Sequence, residues 1–184
     1  MKRTLLAGVL GALAMYIWTF LAHMLLPLGE AGIKQIDNEQ PLLAAMQTSI
    51  PGHGLYMFPS MPPGGDQAQY QNKIANGPSG LMVYFPKRDF SFPKLLGIEF
   101  GTELLEAMIA VVLLSFTRFD TFGGRWGFFA LLGLVVAIST NVSYWNWYGF
   151  PTAYTSAYIF TGWMGFVCAG LVAAAMKVGS AEAR

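Results

Sequence analysis

Charged residues are scarce in this sequence. Asp, Glu, Lys and Arg make up 11% of the 184 residues, whereas 54% are hydrophobic. Soluble domains carry roughly 25% charged residues, so this chain has too few charges to cover a water-facing surface. The composition therefore argues against a solitary soluble globule, a disordered chain and a free nucleic-acid binder.

Cysteine, histidine and net charge are scarce as well. Cys168 is the only cysteine, which excludes an internal disulfide and a Cys-x-x-Cys redox pair. The formal net charge of +1 gives no long-range field that would attract polyanions. His23 and His53 are the only histidines, and catalytic zinc typically takes three protein ligands, with two or more His among them. The sequence also lacks Gly-x-Ser-x-Gly, His-Glu-x-x-His and Gly-rich phosphate-loop motifs, so it assigns no catalytic residue and no cofactor.

Long apolar stretches are abundant by contrast. A membrane-spanning helix needs about 20 mostly apolar residues, and four stretches of the chain satisfy that requirement. The sequence therefore predicts an all-α membrane protein, built as a bundle of four transmembrane helices with a small α+β extracytoplasmic cap inserted between helices 1 and 2. The predicted segments are 1–26 (N-terminus and first helix), 27–94 (cap), 95–116 (second helix), 117–125 (cytoplasmic turn), 126–145 (third helix), 146–152 (outer loop), 153–176 (fourth helix) and 177–184 (cytoplasmic tail).

Basic residues near the span ends predict the orientation. Cytoplasmic loops are enriched in Lys and Arg, and six basic residues would share one side of the membrane if four helices alternate. They are Lys2, Arg3, Arg118, Arg125, Lys177 and Arg184. We expect a multi-pass protein of the cell membrane (the inner membrane in a bacterium) with both termini cytoplasmic and residues 27–94 outside. The first apolar run continues to Leu26, too long for a signal peptide, so we expect an uncleaved anchor.

The predicted cap contains recognisable local signals. Residues 55–59 and 81–86 are short apolar runs that follow a Gly and end at a Pro. Because Pro cannot continue a central strand, each run is typical of a short strand that ends at its Pro. Asp37 or Asn38 is expected to cap a helix that extends to about Gln47. A short polar helix is predicted over residues 66–75.

Two features predict how the spans pack. The short, Gly-ended turn at 117–124 indicates that the second and third spans are antiparallel neighbours. Rows of small residues in the first and fourth spans favour a close approach of their backbones, although Gly and Ala are also simply common in membrane helices. The rows are Gly8, Gly11 and Ala12 in the first span, and Gly162, Gly165, Ala169 and Ala173 in the fourth.

Three carboxylates in the second span are the strongest functional signal. Glu99, Glu103 and Glu106 are spaced i, i+4 and i+7, so they share one helix face. Glu106 lies about 18 Å of helix rise from both Lys94 and Arg118, which places it near mid-membrane. An ionised acid there costs at least roughly 2.5–3.5 kcal/mol on insertion scales. The acids therefore need a cation, shared protons, hydrogen-bond donors or a wet cavity.

Polar residues of the other spans are concentrated toward their predicted outer ends. This asymmetry predicts a pocket that is open to the outer face and sealed on the inner side. The candidate ligand- or ion-binding residues are Glu106, Glu103, Glu99, His23, Asn141, Tyr144 and Tyr158. His23, Glu99 and Glu103 are the candidates for a metal ion.

Three functional hypotheses follow. The first is a non-enzymatic membrane protein whose pocket binds a cation, protons or a small polar ligand. The second is an accessory or assembly subunit of a larger membrane complex, because the chain is small, aromatic-rich and free of catalytic signatures. The third is a membrane-embedded metal-dependent enzyme, for which the ligand set is thin. The expected partners are the lipid bilayer and either other membrane proteins or further copies of the chain, and nucleic acid is not expected.

Overall fold

The computed structural model describes residues 2–61 and 63–179, which are mostly helical. The elements are α1 (Lys2–Met24), α2 (Gln40–Ser49), β1 (Gly54–Phe58), α3 (Gln67–Asn76), β2 (Gly80–Tyr84), α4 (Phe92–Ser115), α5 (Phe122–Tyr148) and α6 (Thr152–Ala175). The chain divides into two compact units, Met1–Ile33 with Ser91–Arg184, and Lys34–Phe90. The four long helices belong to the first unit, and α2, α3 and both strands belong to the second.

Three of the described helices, α1, α5 and α6, are long and apolar enough to cross a membrane. This finding supports the membrane class that the composition predicted. Helix α4 has a comparable length of 24 residues, but its three Glu residues set it apart from that apolar group. The fourth span therefore stays a prediction.

Helices α1 and α6 form the centre of the first unit. Helix α1 packs against both α4 and α6, and α5 packs against α6. Gly11 of α1 lies against Ala169 of α6, and the indole nitrogen of Trp18 donates to the Thr161 carbonyl at 2.8 Å. These contacts show that α1 and α6 are antiparallel, and the order across the unit is α4, α1, α6, α5.

Helices α4 and α5 make few contacts with each other, although a short turn joins them. The prediction that the second and third spans are packed neighbours is therefore wrong. Helix α5 packs on α6 instead, because glycines at that crossing leave room for aromatic rings. Gly133 faces Phe166, and Gly170 faces Phe129. The turn consequently joins two helices that stand apart and do not form a tight helical hairpin.

The predicted close approach of the first and fourth spans is confirmed. A Cβ added to Gly11 would lie 3.5 Å from the Cβ of Ala169, which is ordinary van der Waals contact. Ala12, Ala169 and Ala173 have no exposed surface. Small side chains thus let α1 and α6 approach closely over their shared length.

The second unit contains a two-stranded antiparallel sheet in which Leu55 lies opposite Val83. Helix α3 begins after Asp66, whose carboxylate accepts a hydrogen bond from the Ala68 backbone N–H at 2.8 Å. Helix α2 begins at Gln40, later than the predicted Asp37 or Asn38. The reason is local, since Asn38 has a positive φ of 52° and Pro41 occupies the first turn of α2, where its fixed φ favours a helix start.

Candidate functional site

A cleft of about 590 Å³ occupies the first unit, and all four long helices line it. Because α4 and α5 make few contacts, the cleft lies in the gap between them, and α1 and α6 form its floor. Its lining begins near Phe92 on α4 and reaches Glu106 on the same helix. The separation of these two residues corresponds to about 21 Å of helix rise. The cleft is therefore an elongated groove along α4.

Most of the predicted site residues line this one cleft. Helix α4 contributes all three acids, and α1, α5 and α6 each contribute one further residue. The lining residues from the predicted set are Glu99, Glu103, Glu106, His23, Asn141 and Tyr158. Tyr144 is not brought to the cleft. Its ring packs 5.3 Å from that of Phe150 in the loop after α5 and 5.8 Å from that of Tyr148.

Glu103 is the most buried of the three acids, with 4% of its surface exposed. The Thr19 hydroxyl donates to its Oε1 at 2.6 Å. Its Oε2 is buried and has no hydrogen-bond partner in the described part of the chain. A buried polar atom without a partner costs about 1–3 kcal/mol. Glu103 is thus a half-satisfied carboxyl on the wall of a cleft.

The other two acids are more accessible than Glu103. Glu106 is half-buried, and Glu99 lies on the surface of the unit. Among the residues that the structure describes, no Lys or Arg lines the cleft. Three carboxyl groups therefore share the cleft without a basic side chain other than His23 to balance them.

His23 is positioned through the same threonine that binds Glu103. Its Nδ1 lies 2.9 Å from the Thr19 carbonyl oxygen, and because a carbonyl only accepts, Nδ1 carries the proton of this bond. The imidazole also meets the Tyr158 ring edge-on, with the ring centroids 6.1 Å apart. Tyr158 in turn stacks on Tyr154 at 4.2 Å. Thr19 therefore contacts both groups, the imidazole through its backbone carbonyl and the buried carboxyl of α4 through its hydroxyl.

Asn141 contributes less than its position on α5 suggested. Its Nδ2 donates to the Ala137 carbonyl of the same helix at 2.8 Å. This hydrogen bond uses one of the two N–H donors of the amide, and the described residues show no hydrogen bond from Asn141 to the acids on α4. The Asn141 side chain thus lines the cleft without bridging it.

A metal centre has little geometric support. Within residues 2–61 and 63–179, no three His, Cys, Asp or Glu side chains lie together in a way that could hold a metal ion. His23, Glu99 and Glu103 all line the cleft but do not form such a group. A metal at these residues stays a prediction from the sequence.

Thr19 was not among the predicted site residues, yet it makes the one cross-helix hydrogen bond to an acid that the described residues show. A signal for it exists in the sequence. Thr19 lies four residues before His23, one turn along the same face of α1. It is also a hydroxyl side chain in a predominantly apolar helix, where such groups commonly bond across to a neighbour.

Comparison of the chain with protein-family models, with curated proteins and with solved structures found no match. The geometry of the cleft is therefore the guide to its function.

Proposed function

We propose that this chain is an integral membrane protein that binds a cation, protons or a small polar ligand in the cleft, without catalysing a reaction. In this proposal all four long helices cross the membrane. Both termini are cytoplasmic, and residues 27–94 form an extracytoplasmic cap. Assignment to the class of membrane proteins rests on the apolar helices α1, α5 and α6. The fourth span and the ligand-binding role rest on α4 and its acids.

The packing of α4 along α1 supports the fourth span. Gly8 lies against Met108, and the Tyr16 and Phe100 rings meet at 5.4 Å. The two helices therefore run antiparallel and side by side over most of their lengths. At 1.5 Å per residue each is about 35 Å long, enough for a hydrocarbon core of about 30 Å. If α1 crosses the membrane, α4 occupies the same depth.

The unpaired Oε2 of Glu103 is the observation that carries the proposal. Its depth follows from Thr19, which lies about 7.5 Å of helix rise from the outer end of α1 at Met24. A carboxyl group at this depth is costly unless it is paired or faces a water-filled cavity. Thr19 satisfies one oxygen, and the other is buried without a hydrogen-bond partner in the described part of the chain. A bound cation, a proton or a hydrogen-bond donor would complete the site.

Ligand-induced stabilisation tests this proposal. The thermal stability of the protein in lipid nanodiscs is measured with sodium, potassium, magnesium and calcium chlorides, with ethylammonium, with glucose, and in acidic and alkaline buffers. A ligand at 100 times its Kd stabilises by about 2.7 kcal/mol. For a chain of this size that corresponds to a rise in Tm of about 5–10 °C.

The variants decide where the ligand binds. We expect the rise in Tm to be lost in Glu103→Gln and strongly reduced in Glu106→Gln. Glu39→Gln is the matched control, because Glu39 is an exposed acid of the second unit. The pocket proposal is overturned if every probe and buffer affects the wild type and Glu103→Gln equally.

A role as a subunit of a larger membrane complex is the second candidate. The gap between α4 and α5 leaves one side of the cleft without a helix of this unit, and a partner helix with a Lys or Arg could fill it. Native mass spectrometry on gently extracted protein separates the two. A 20 kDa chain or a small multiple with added ligand mass supports the pocket, whereas extraction only with heavier chains supports the complex.

A further inference from the structure

We infer that the cleft takes an amphiphilic amine, a molecule with a protonated primary amino group and an apolar body. This inference rests on the proposed function and names the class of ligand. It assigns the amino group to Glu103 and Glu106 at the deep end of the cleft. The apolar body would extend along α4 toward Phe92.

The volume of the cleft argues against a bare ion as its natural occupant. A water molecule has a share of about 30 Å³ in the liquid, and small inorganic ions are of similar size. The cleft has a volume of about 590 Å³, which lies within the range of about 300–1,000 Å³ that is typical of organic-ligand pockets. A single ion would leave most of this space to water.

The chemistry of the deep end favours an N–H donor with a positive charge. Oε2 of Glu103 has no hydrogen-bond partner among the described residues, and Glu106 is half-buried one turn further along the same helix. Charge-assisted hydrogen bonds from an ammonium group to a carboxylate are about twice as strong as neutral ones. A quaternary ammonium group has the charge but no N–H, so it would leave Oε2 unsatisfied.

The walls between the acids and the outer end of the cleft are mainly apolar. They are formed by Phe20, Met24, Phe92, Leu95 and Leu96, together with the exposed Glu99 and His23. An apolar body placed there is removed from water, which contributes about 0.8 kcal/mol for each buried methylene. The cleft therefore distinguishes its ligand by both charge and length.

A homologous series of alkylammonium ions tests the inference. Ethyl-, butyl- and hexylammonium are titrated calorimetrically into protein in nanodiscs, and the signal of empty nanodiscs is subtracted. We expect the Kd to fall by up to about fourfold for each added methylene, the factor that corresponds to full burial of that group. Hexanol and hexyltrimethylammonium are expected to bind at least about tenfold more weakly than hexylammonium, because neither offers a charged N–H donor.

Variants assign the amino group to the deep end. Glu103→Gln and Glu106→Gln should each raise the Kd of hexylammonium by at least about tenfold. Glu39→Gln should leave this Kd unchanged. Circular dichroism and the elution volume confirm that each variant is folded. The use of two separate acid variants keeps the test decisive if one of them fails to fold.

The outcomes separate this inference from the proposed function. Suppose that ethylammonium or an inorganic cation binds as tightly as hexylammonium, and that this binding still requires Glu103. The inference of an amphiphilic ligand is then overturned, and the proposed polar pocket stands. If hexanol binds as tightly as hexylammonium and both acid variants behave as the wild type, the cleft is a non-selective apolar groove, and both proposals fall. If no amine binds, the inference fails. The thermal-stability measurements with salts and buffers then test the proposed pocket independently.

Discussion

Thr19 and Glu103 form a cross-helix hydrogen bond in the lining of the cleft. The Thr19 hydroxyl is 2.6 Å from Oε1 of Glu103 and joins α1 to α4. Hydrogen bonds between membrane helices contribute about 0.6 kcal/mol on average and up to about 1.7 kcal/mol. A buried carboxyl with only one satisfied oxygen should fall in the upper part of this range, because its loss leaves both oxygens without a partner.

We therefore expect Thr19→Val to lower the free energy of unfolding by about 1–2 kcal/mol. Reversible unfolding in mixed detergent micelles measures this change, and a double-mutant cycle with Glu103→Met isolates the coupling. Thr102→Val is the control, because the Thr102 hydroxyl bonds to the Ile98 carbonyl within α4 at 3.0 Å. Additive effects of Thr19→Val and Glu103→Met would show that the hydrogen bond contributes no stability.

The residue identities of the site were more predictable from sequence than their hydrogen bonds. The spacing of Glu99, Glu103 and Glu106 places them on one face of α4, and the structure brings that face to a cleft. Which acid is buried depends on its neighbours across the helix pair, and a single sequence does not contain that information. Tyr144 was misplaced for a similar reason, since its ring packs with Phe150 after the end of α5.

At the scale of elements, glycines determine which helices pack together. A Cβ on Gly133 would collide with the Cβ of Phe166, and a Cβ on Gly170 would lie 2.6 Å from that of Phe129. Both glycines lie at the α5–α6 crossing, where backbone and ring are in direct contact. The aromatic side chains cannot retreat at their Cβ atoms without a shift of the helix.

Gly133→Ala is therefore expected to destabilise the first unit by about 1–3 kcal/mol, the usual cost of overpacking a close contact. Gly127→Ala is a matched control on the same helix, because a Cβ there meets nothing within 4 Å. That control should be neutral or stabilising by up to about 1 kcal/mol, because alanine favours the helix more than glycine does. Equal Tm values for the two variants in detergent would contradict the role given to Gly133.

The elements differ in how well their sequences predict them. The long helices and the two strands have strong local signals of apolar length and Gly and Pro boundaries, and they form where expected. The pairing of helices has no such local signal. The short turn after α4 favoured an α4–α5 hairpin. In the structure, Gly133 and Gly170 instead lie at the contact between α5 and α6. Because α5 packs on α6, the cleft remains between α4 and α5.

At the scale of the whole molecule, α4 separates the three candidate spans α1, α5 and α6 from the proposed bundle of four. If α4 crosses the membrane, the second unit and the turn before α5 lie on opposite sides. If α4 does not cross, they lie on the same side. Lys73 in the second unit and Asp120 in the turn are both exposed, so a single cysteine at either position reports its side directly.

We expect a membrane-impermeant maleimide to label Lys73→Cys in intact cells and to label Asp120→Cys only after permeabilisation. Both variants are made in a Cys168→Ser background, which removes the single native cysteine. Labelling of both positions in intact cells would overturn the fourth span, and with it the intramembrane depth assigned to Glu103. Labelling of Asp120→Cys alone would instead keep the four spans and invert the orientation. The acids would then remain at the same depth between the helices, but the cleft would open toward the cytoplasm, where its ligand would have to be found.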